Sequence, residues 1–178
     1  MRVRESVNGC ELEFEALART TLPALFTQLE DAIEHAKDAE LFVRHKSDRA
    51  GLRAALGLPG KGDFAGCYIF IDDDGPLYVG ISRKVLRRIS QHLNARSHYS
   101  ASLVYRVAKA EHPHKMKRGD AMKDDAFRGA FDRMQERLQA GKVAFIEVNK
   151  EDVVPLYLLE VHAAMKLGTG RWNTFATH

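Results

Sequence analysis

Residues 66–92, GCYIFIDDDGPLYVGISRKVLRRISQH, constrain the fold more than any other stretch of the chain. Cys67 to Ile71 is a run of β-branched and aromatic residues, the composition of a buried strand. Asp72-Asp73-Asp74-Gly75-Pro76 is dense turn chemistry, and Leu77 to Gly80 resumes the strand. This pattern predicts a β-hairpin with one tyrosine, Tyr68 or Tyr78, on each run. Such a hairpin is a rigid platform for two phenols. An amphipathic helix follows it directly.

The helix can be phased from its periodicity. At about 100° per residue, Val85, Leu86, Ile89 and Leu93 form one apolar stripe. Arg88 and His92 are four residues apart and share a face along the edge of that stripe, while Arg87 points the other way. Arg88 is therefore favoured over its neighbour as a site residue. Taken singly, Arg88 also reads as a solvated helix arginine, and His92 as a boundary histidine bonded to backbone.

The 178 residues suit one domain plus a small extension. Residues 1–62 read as a helical N-terminal extension, and 63–178 as the main domain with an insert near 95–140. In the extension, Pro23 to Lys37 puts Leu25, Leu29, Ile33 and Ala36 at helical spacing, with Thr21 as its cap. Arg49 to Leu56 predicts a second, short helix. The glycine-rich stretch at 57–62 does not fit a phosphate loop, because Ala55 stands where the first glycine is needed and Gly62 follows Lys61. It is a connector.

Within the insert, His98 to Ala110 and Ala121 to Ala140 predict helices separated by an exposed basic loop from His112 to Arg118. His112 and His114 flank a proline with no acid ligand nearby, so phosphate contact is a more economical use of this loop than metal binding. Val143 to Val148 predicts a third strand. Asp152 and Pro155 then open the helix VPLYLLEVHAAMKL, apolar nearly all round and expected to be largely buried. Glu160 is its only acid and must be paired, protonated or metal-bound there; a salt bridge to Lys166 or an arginine is the structural alternative. Gly168 ends the helix, and Asn173 in the loop beyond it offers an amide for side-chain hydrogen bonds.

Two cysteines, Cys10 and Cys67, give neither a disulfide framework nor metal-ligand spacing. The N-terminal residues lack the apolar segment of a signal peptide, and no apolar run approaches the about 18 residues of a membrane span. A cytoplasmic location with no membrane partner is the expectation. The net charge is only +3, but its distribution is lopsided. Met1 to Val43 carries nine acids against four bases, whereas Arg83 to Arg118 carries ten bases against the single acid Glu111. Phosphates reward such a basic strip through counterion release, so Arg83, Lys84, Lys115, Lys117 and Arg118 are candidate nucleic-acid contacts. A solvated face balanced by acids elsewhere is the alternative.

Gly66-Cys67-Tyr68 and Tyr78-Val79-Gly80, with Arg88 ten residues after the second tyrosine and His92 one turn later, resemble the GIY-YIG nuclease family. Glu160 on a later helix and Asn173 in a loop complete the six positions of the family's site. Cys67 departs from the usual Ile or Val. Ile81 stands where some relatives have a lysine. The resemblance runs from about Gly66 to the C-terminus. It implies an α/β (α+β) fold with a small central antiparallel sheet flanked by helices, and a nuclease using Tyr68, Tyr78, Arg88, His92, Glu160 and Asn173.

It further implies a metal at Glu160, Mg²⁺ or Mn²⁺, and double-stranded DNA as partner. Phosphodiester hydrolysis needs an activated water and an offset for the charge of the phosphorane. A hard cation held by one carboxylate suffices for the latter together with the Arg88 fork. Tyr68 is the candidate base; a phenol of pKa near 10 needs a cation such as Arg88 beside it, and the base role stays open between Tyr68 and His92. The compact chain resembles restriction-type members, of type II, more than repair or mobile-element ones, and a homodimer is left open. A nucleic-acid-binding protein that kept the fold without the activity is the alternative.

Overall fold

Strand β2 (Gly66–Asp72) is the spine of the sheet in the computed structural model, which describes residues 6–175. Residues 1–5, part of the stretch read as lacking a signal peptide, lie outside that range. A central strand must bury both faces, and the near-continuous apolar run of β2 does so, with Cys67 to Phe70 all in the core. It pairs antiparallel with β3 (Gly75–Ser82) on one side and with β4 (Lys142–Glu147) on the other. A two-residue strand β1 (Lys37–Asp38) extends the sheet beyond β4, giving the order β1-β4-β2-β3. The antiparallel sheet flanked by helices that the motif implies is what the chain forms.

Alternation along the strands sorts the core into two layers. Tyr68, Phe70 and Val143 face a cluster built with α3 (Glu40–Arg44), α4 (Arg49–Ala55), α5 (Val85–Asn94), α6 (Ser102–Glu111), α7 (Arg118–Ala121) and α8 (Asp125–Ala140). Cys67, Ile69, Val79, Ala144 and Ile146 face α2 (Leu22–Glu34) and α9 (Val153–Lys166). β3 is the free edge of the sheet, which is where Pro76 is tolerated; the register shifts by a bulge between Phe70 and Ile71 just before it.

Several details differ from the sequence expectation: α6 starts at Ser102, the helix expected over 121–140 is divided between α7 and α8, and Lys37 belongs to β1. The N-terminal helix begins before Pro23: α1 (Phe14–Ala16) runs through a π turn, Leu17–Thr21, into α2, and Thr21 lies inside helical backbone without capping. Pro23 lacks the N–H that the Arg19 carbonyl would otherwise receive, so the widened turn falls where the regular ladder is already broken. Helix α9 is also less buried than its composition suggests, because Tyr157, Val161 and Met165 lie along one exposed side. Its Asp152 makes no side-chain cap.

The connector at 57–62 is held by a buried arginine. Arg53 donates to the carbonyls of Pro59, Gly60 and Gly62. The loop thus presents acceptors to a cation, the reverse of a phosphate cradle. No helix among the described residues is long and apolar enough to cross a membrane.

Candidate active site

Tyr68 points from the middle of β2 into the layer beneath α5, where it is 1 % exposed. Two glycines make that placement possible. The residue paired with Tyr68 on β3 is Gly80, and a Cβ there would meet the Tyr68 ring. A Cβ on Gly66 would collide with the backbone carbonyl of Ile146 on β4. The phenol of Tyr68 lies 3.2 Å from Nε2 of His92, itself fully buried on α5. Tyr78 is half-buried nearer the sheet edge, its ring centroid 6.3 Å from that of Tyr68 and 6.2 Å from that of His92.

Helix α5 is held in register by a residue outside it. Asp63 accepts from the N–H groups of Leu86 and Arg87, each at 3.0 Å, in place of a local cap. The same carboxylate pairs with Arg49 of α4 at 3.3 Å, so α4 is tied to the helix that carries Arg88 and His92. Arg88 is half-buried and donates to the Ser100 carbonyl at 2.9 Å and to Ser102 Oγ at 2.8 Å. Arg87 is exposed.

At the free edge of β3, Asn173 behaves like a short piece of strand. Its Oδ1 accepts from Val79 N–H at 3.0 Å and its Nδ2 donates to Val79 carbonyl at 2.7 Å. Thr169 Oγ1 donates to the same Oδ1 at 2.9 Å and fixes the amide orientation. The left-handed Gly168 (φ 68°) ends α9 and turns the chain toward this contact. Glu160, half-buried on α9, has no hydrogen bond or ion pair among the described residues, so the Lys166 salt bridge does not form.

Electrostatics link these groups. Burial raises the Tyr68 phenol well above its usual value; Tyr78 adds to the rise and Arg88 opposes it. Burial lowers His92 well below the usual imidazole value, reinforced by Arg88 and Arg106, so the ring is neutral. Burial raises Glu160, with Arg106 opposing. Tyr78 is raised by burial and by Glu160. Arg106 of α6 thus belongs to this group although no sequence motif marked it. It donates to the carbonyl of Trp172, next to Asn173. Its position one turn into an amphipathic helix carried no signal beyond membership of the basic strip.

Residues 64–122 match the family model described as GIY-YIG catalytic domain. Over that interval the chain is similar to a GIY-YIG catalytic domain. The matched interval holds the hairpin, Arg88 and His92 and ends before Glu160 and Asn173. No curated protein and no solved structure matches the chain.

The remaining cations fall into two groups around these residues. Arg83 and Lys84 are exposed just before α5 and line a shallow cleft with Arg87 and Arg88. Lys115 and Lys117 are exposed in the loop between α6 and α7. Arg118 opens α7 directly after them, its guanidinium 5.5 Å from the Tyr105 ring centroid. Asp31, Glu34 and His35 form an exposed group at the end of α2, away from the tyrosines, on the other face of the sheet. Contrary to the expectation, His112 has an acid nearby, Nε2 lying 3.9 Å from Asp124 Oδ1, but His114 Nε2 faces Tyr105 Oη at 3.4 Å, and both rings lie beside Phe127 without sharing a ligand set.

Proposed function

We propose that this chain is a divalent-metal-dependent endonuclease that hydrolyses double-stranded DNA through Tyr68, Tyr78, Arg88, His92, Glu160 and Asn173, in the manner of a type II restriction enzyme. The observation that carries this reading is the Tyr68–His92 contact beside Arg88. A buried phenol against a neutral imidazole, with a cation next to it, is a built proton path rather than core packing.

The protons move along that pair. Water gives a proton to Tyr68 Oη as Tyr68 passes its own to His92 Nε2, with the imidazole hydrogen initially on Nδ1. Arg88 favours the phenolate character this requires. Burial first, then Arg88 and Arg106, disfavours the imidazolium, and an incoming phosphate that engages the two arginines relieves their share of it. Tyr78, closer to solvent, positions the water and the scissile phosphate. Arg88 places its fork on the non-bridging oxygens. Asn173 holds β3, and with it Tyr78, against the loop after α9.

Glu160 suits a hard cation. It is a desolvated carboxylate without a protein partner among the described residues, and Mg²⁺ binds through one or two carboxylates while keeping most of its waters. When bound, Mg²⁺ or Mn²⁺ supplies charge stabilisation for the phosphorane and the leaving oxygen. The extension at 1–62 serves as a brace for α5 through the Arg49–Asp63 pair. The test is incubation of purified protein with plasmid DNA in Mg²⁺ and in chelator, followed by mapping of the ends. Metal-dependent breaks at fixed sites support the restriction-type reading. Intact plasmid bound in a retarded complex would leave a binding protein instead.

A further inference from the structure

We propose that the cleft on α6 lined by Ser102, Tyr105, Arg106, Lys109 and Arg118 is a phosphate subsite, taking a backbone phosphate of the same DNA that is cut at Arg88. The proposal rests on the nuclease reading and names where the strand runs beyond the reacting phosphate.

Geometry joins the cleft to the reaction centre. Arg88 Nη2 donates to Ser102 Oγ at 2.8 Å, so the same serine that lines the cleft holds the arginine of the site. Ser102 and Arg106 are one turn apart on α6 and share its face. On the other side, Arg88 also lines the shallow cleft of Arg83, Lys84 and Arg87. Arg88 therefore lies between two basic clefts, and a phosphodiester backbone crossing it would enter one and leave by the other.

Size and charge select the occupant. The α6 cleft holds ≈ 150 Å³. A water occupies about 30 Å³ in the liquid, so the space suits a phosphate-sized group, whereas small-molecule pockets start at about 300 Å³. Three cations line it and no carboxylate does. Among the described residues neither Arg106, Lys109 nor Arg118 makes an ion pair. Two of the cations have partners within the protein. Arg118 lies over the Tyr105 ring and Arg106 is fixed by the Trp172 carbonyl, which leaves most of its five N–H donors free.

The experiment scans phosphates. Duplexes containing the mapped cleavage site, each with one methylphosphonate, are titrated with full-length Glu160→Gln protein in Mg²⁺ at several salt concentrations. One neutralised phosphate near the cut should weaken binding. In the added background of Lys109→Ala and Arg118→Ala that sensitivity should vanish, and the slope of log K against log[salt] should become shallower by about 0.9 for each phosphate no longer neutralised. Lys142→Ala, an exposed cation on β4, should leave both unchanged. Retained sensitivity to every phosphate in the Lys109/Arg118 background would overturn the subsite while leaving the nuclease reading intact. Wild-type protein that neither cuts nor binds DNA would overturn both. Arg106→Lys is the second variant: it keeps the charge and should keep the slope. A slope reduced by Arg106→Lys while Lys109→Ala and Arg118→Ala are silent would make Arg106 a structural clamp on Trp172 and refute the subsite.

Discussion

Gly80 clears the space in which the Tyr68 phenol lies: a Cβ at residue 80 would be 2.5 Å from both Cζ and Oη of Tyr68. The second glycine of the motif is thus a steric partner of the first tyrosine, across the β2–β3 pairing. Gly80→Ala must push the ring, and the ring is enclosed by Phe70 and His92. Overpacking of this kind costs about 1–3 kcal/mol. Thermal unfolding should show that loss, and single-turnover cleavage should fall further than stability does, because the Tyr68–His92 contact is displaced. Wild-type cleavage by a stably folded Gly80→Ala protein would detach this contact from the chemistry.

Asn173 is expected to act through Val79. Asn173→Ala leaves the Val79 N–H and carbonyl without partners on the sheet edge, a loss of about 1–3 kcal/mol. Asn173→Asp keeps the acceptor for the N–H but sets a carboxylate oxygen against the carbonyl, so it should not rescue. Amide hydrogen exchange at Val79 reads this directly. Exchange as slow as in the wild type would show that the amide pair does not hold the edge.

Much of the fold was legible because its signals are local. The apolar run at 67–71, the turn at 72–76 and the stripe on α5 each specify one element, and the sheet follows from pairing them. What was not legible depends on residues distant in sequence. Asp63 caps α5 from more than twenty residues upstream of Arg87, and Arg53 organises the 57–62 connector through backbone carbonyls that no side-chain pattern reveals. Lys37–Asp38 is too short a strand to show periodicity, and only its pairing with β4 defines it. At the site, Tyr68, Tyr78, Arg88 and His92 stood out because a motif spaces them. Arg106 and Ser102 did not, since their place depends on how α6 lies against α5 and the Trp172 loop.

The adjacent arginines should differ sharply. Arg88→Ala removes a half-buried donor from the site and should slow cleavage at saturating DNA by about 10²–10³-fold. Arg87→Ala removes an exposed cation and should mainly weaken binding at low salt. Equal kinetic losses, measured under single-turnover conditions, would mean that both guanidinium groups reach the phosphate.

Stability should depend on pH through His92. Its folded value lies well below the unfolded value of about 6.5, so below that pH the unfolded chain binds a proton that the native protein excludes. The contribution is intact above about pH 6.5 and is lost as pH falls, by up to about 1.4 kcal/mol per pH unit. His92→Phe removes this proton uptake. Denaturant unfolding from pH 7 to 5 should therefore show a steeper fall for the wild type than for His92→Phe, and parallel curves would mean that His92 is already protonated in the folded protein.

The most direct test of the site is Glu160→Gln, assayed for plasmid cleavage in Mg²⁺ beside DNA affinity and melting temperature. The substitution keeps the size of the side chain and removes the charge that a divalent cation needs. Glu160 has no ion pair to lose among the described residues, so the melting temperature should stay near wild type. DNA affinity should stay near wild type as well, and cleavage should be abolished. Cleavage at the wild-type rate would contradict the assignment of the metal to Glu160, and a sharp fall in melting temperature with cleavage reduced only in proportion would make Glu160 a structural residue.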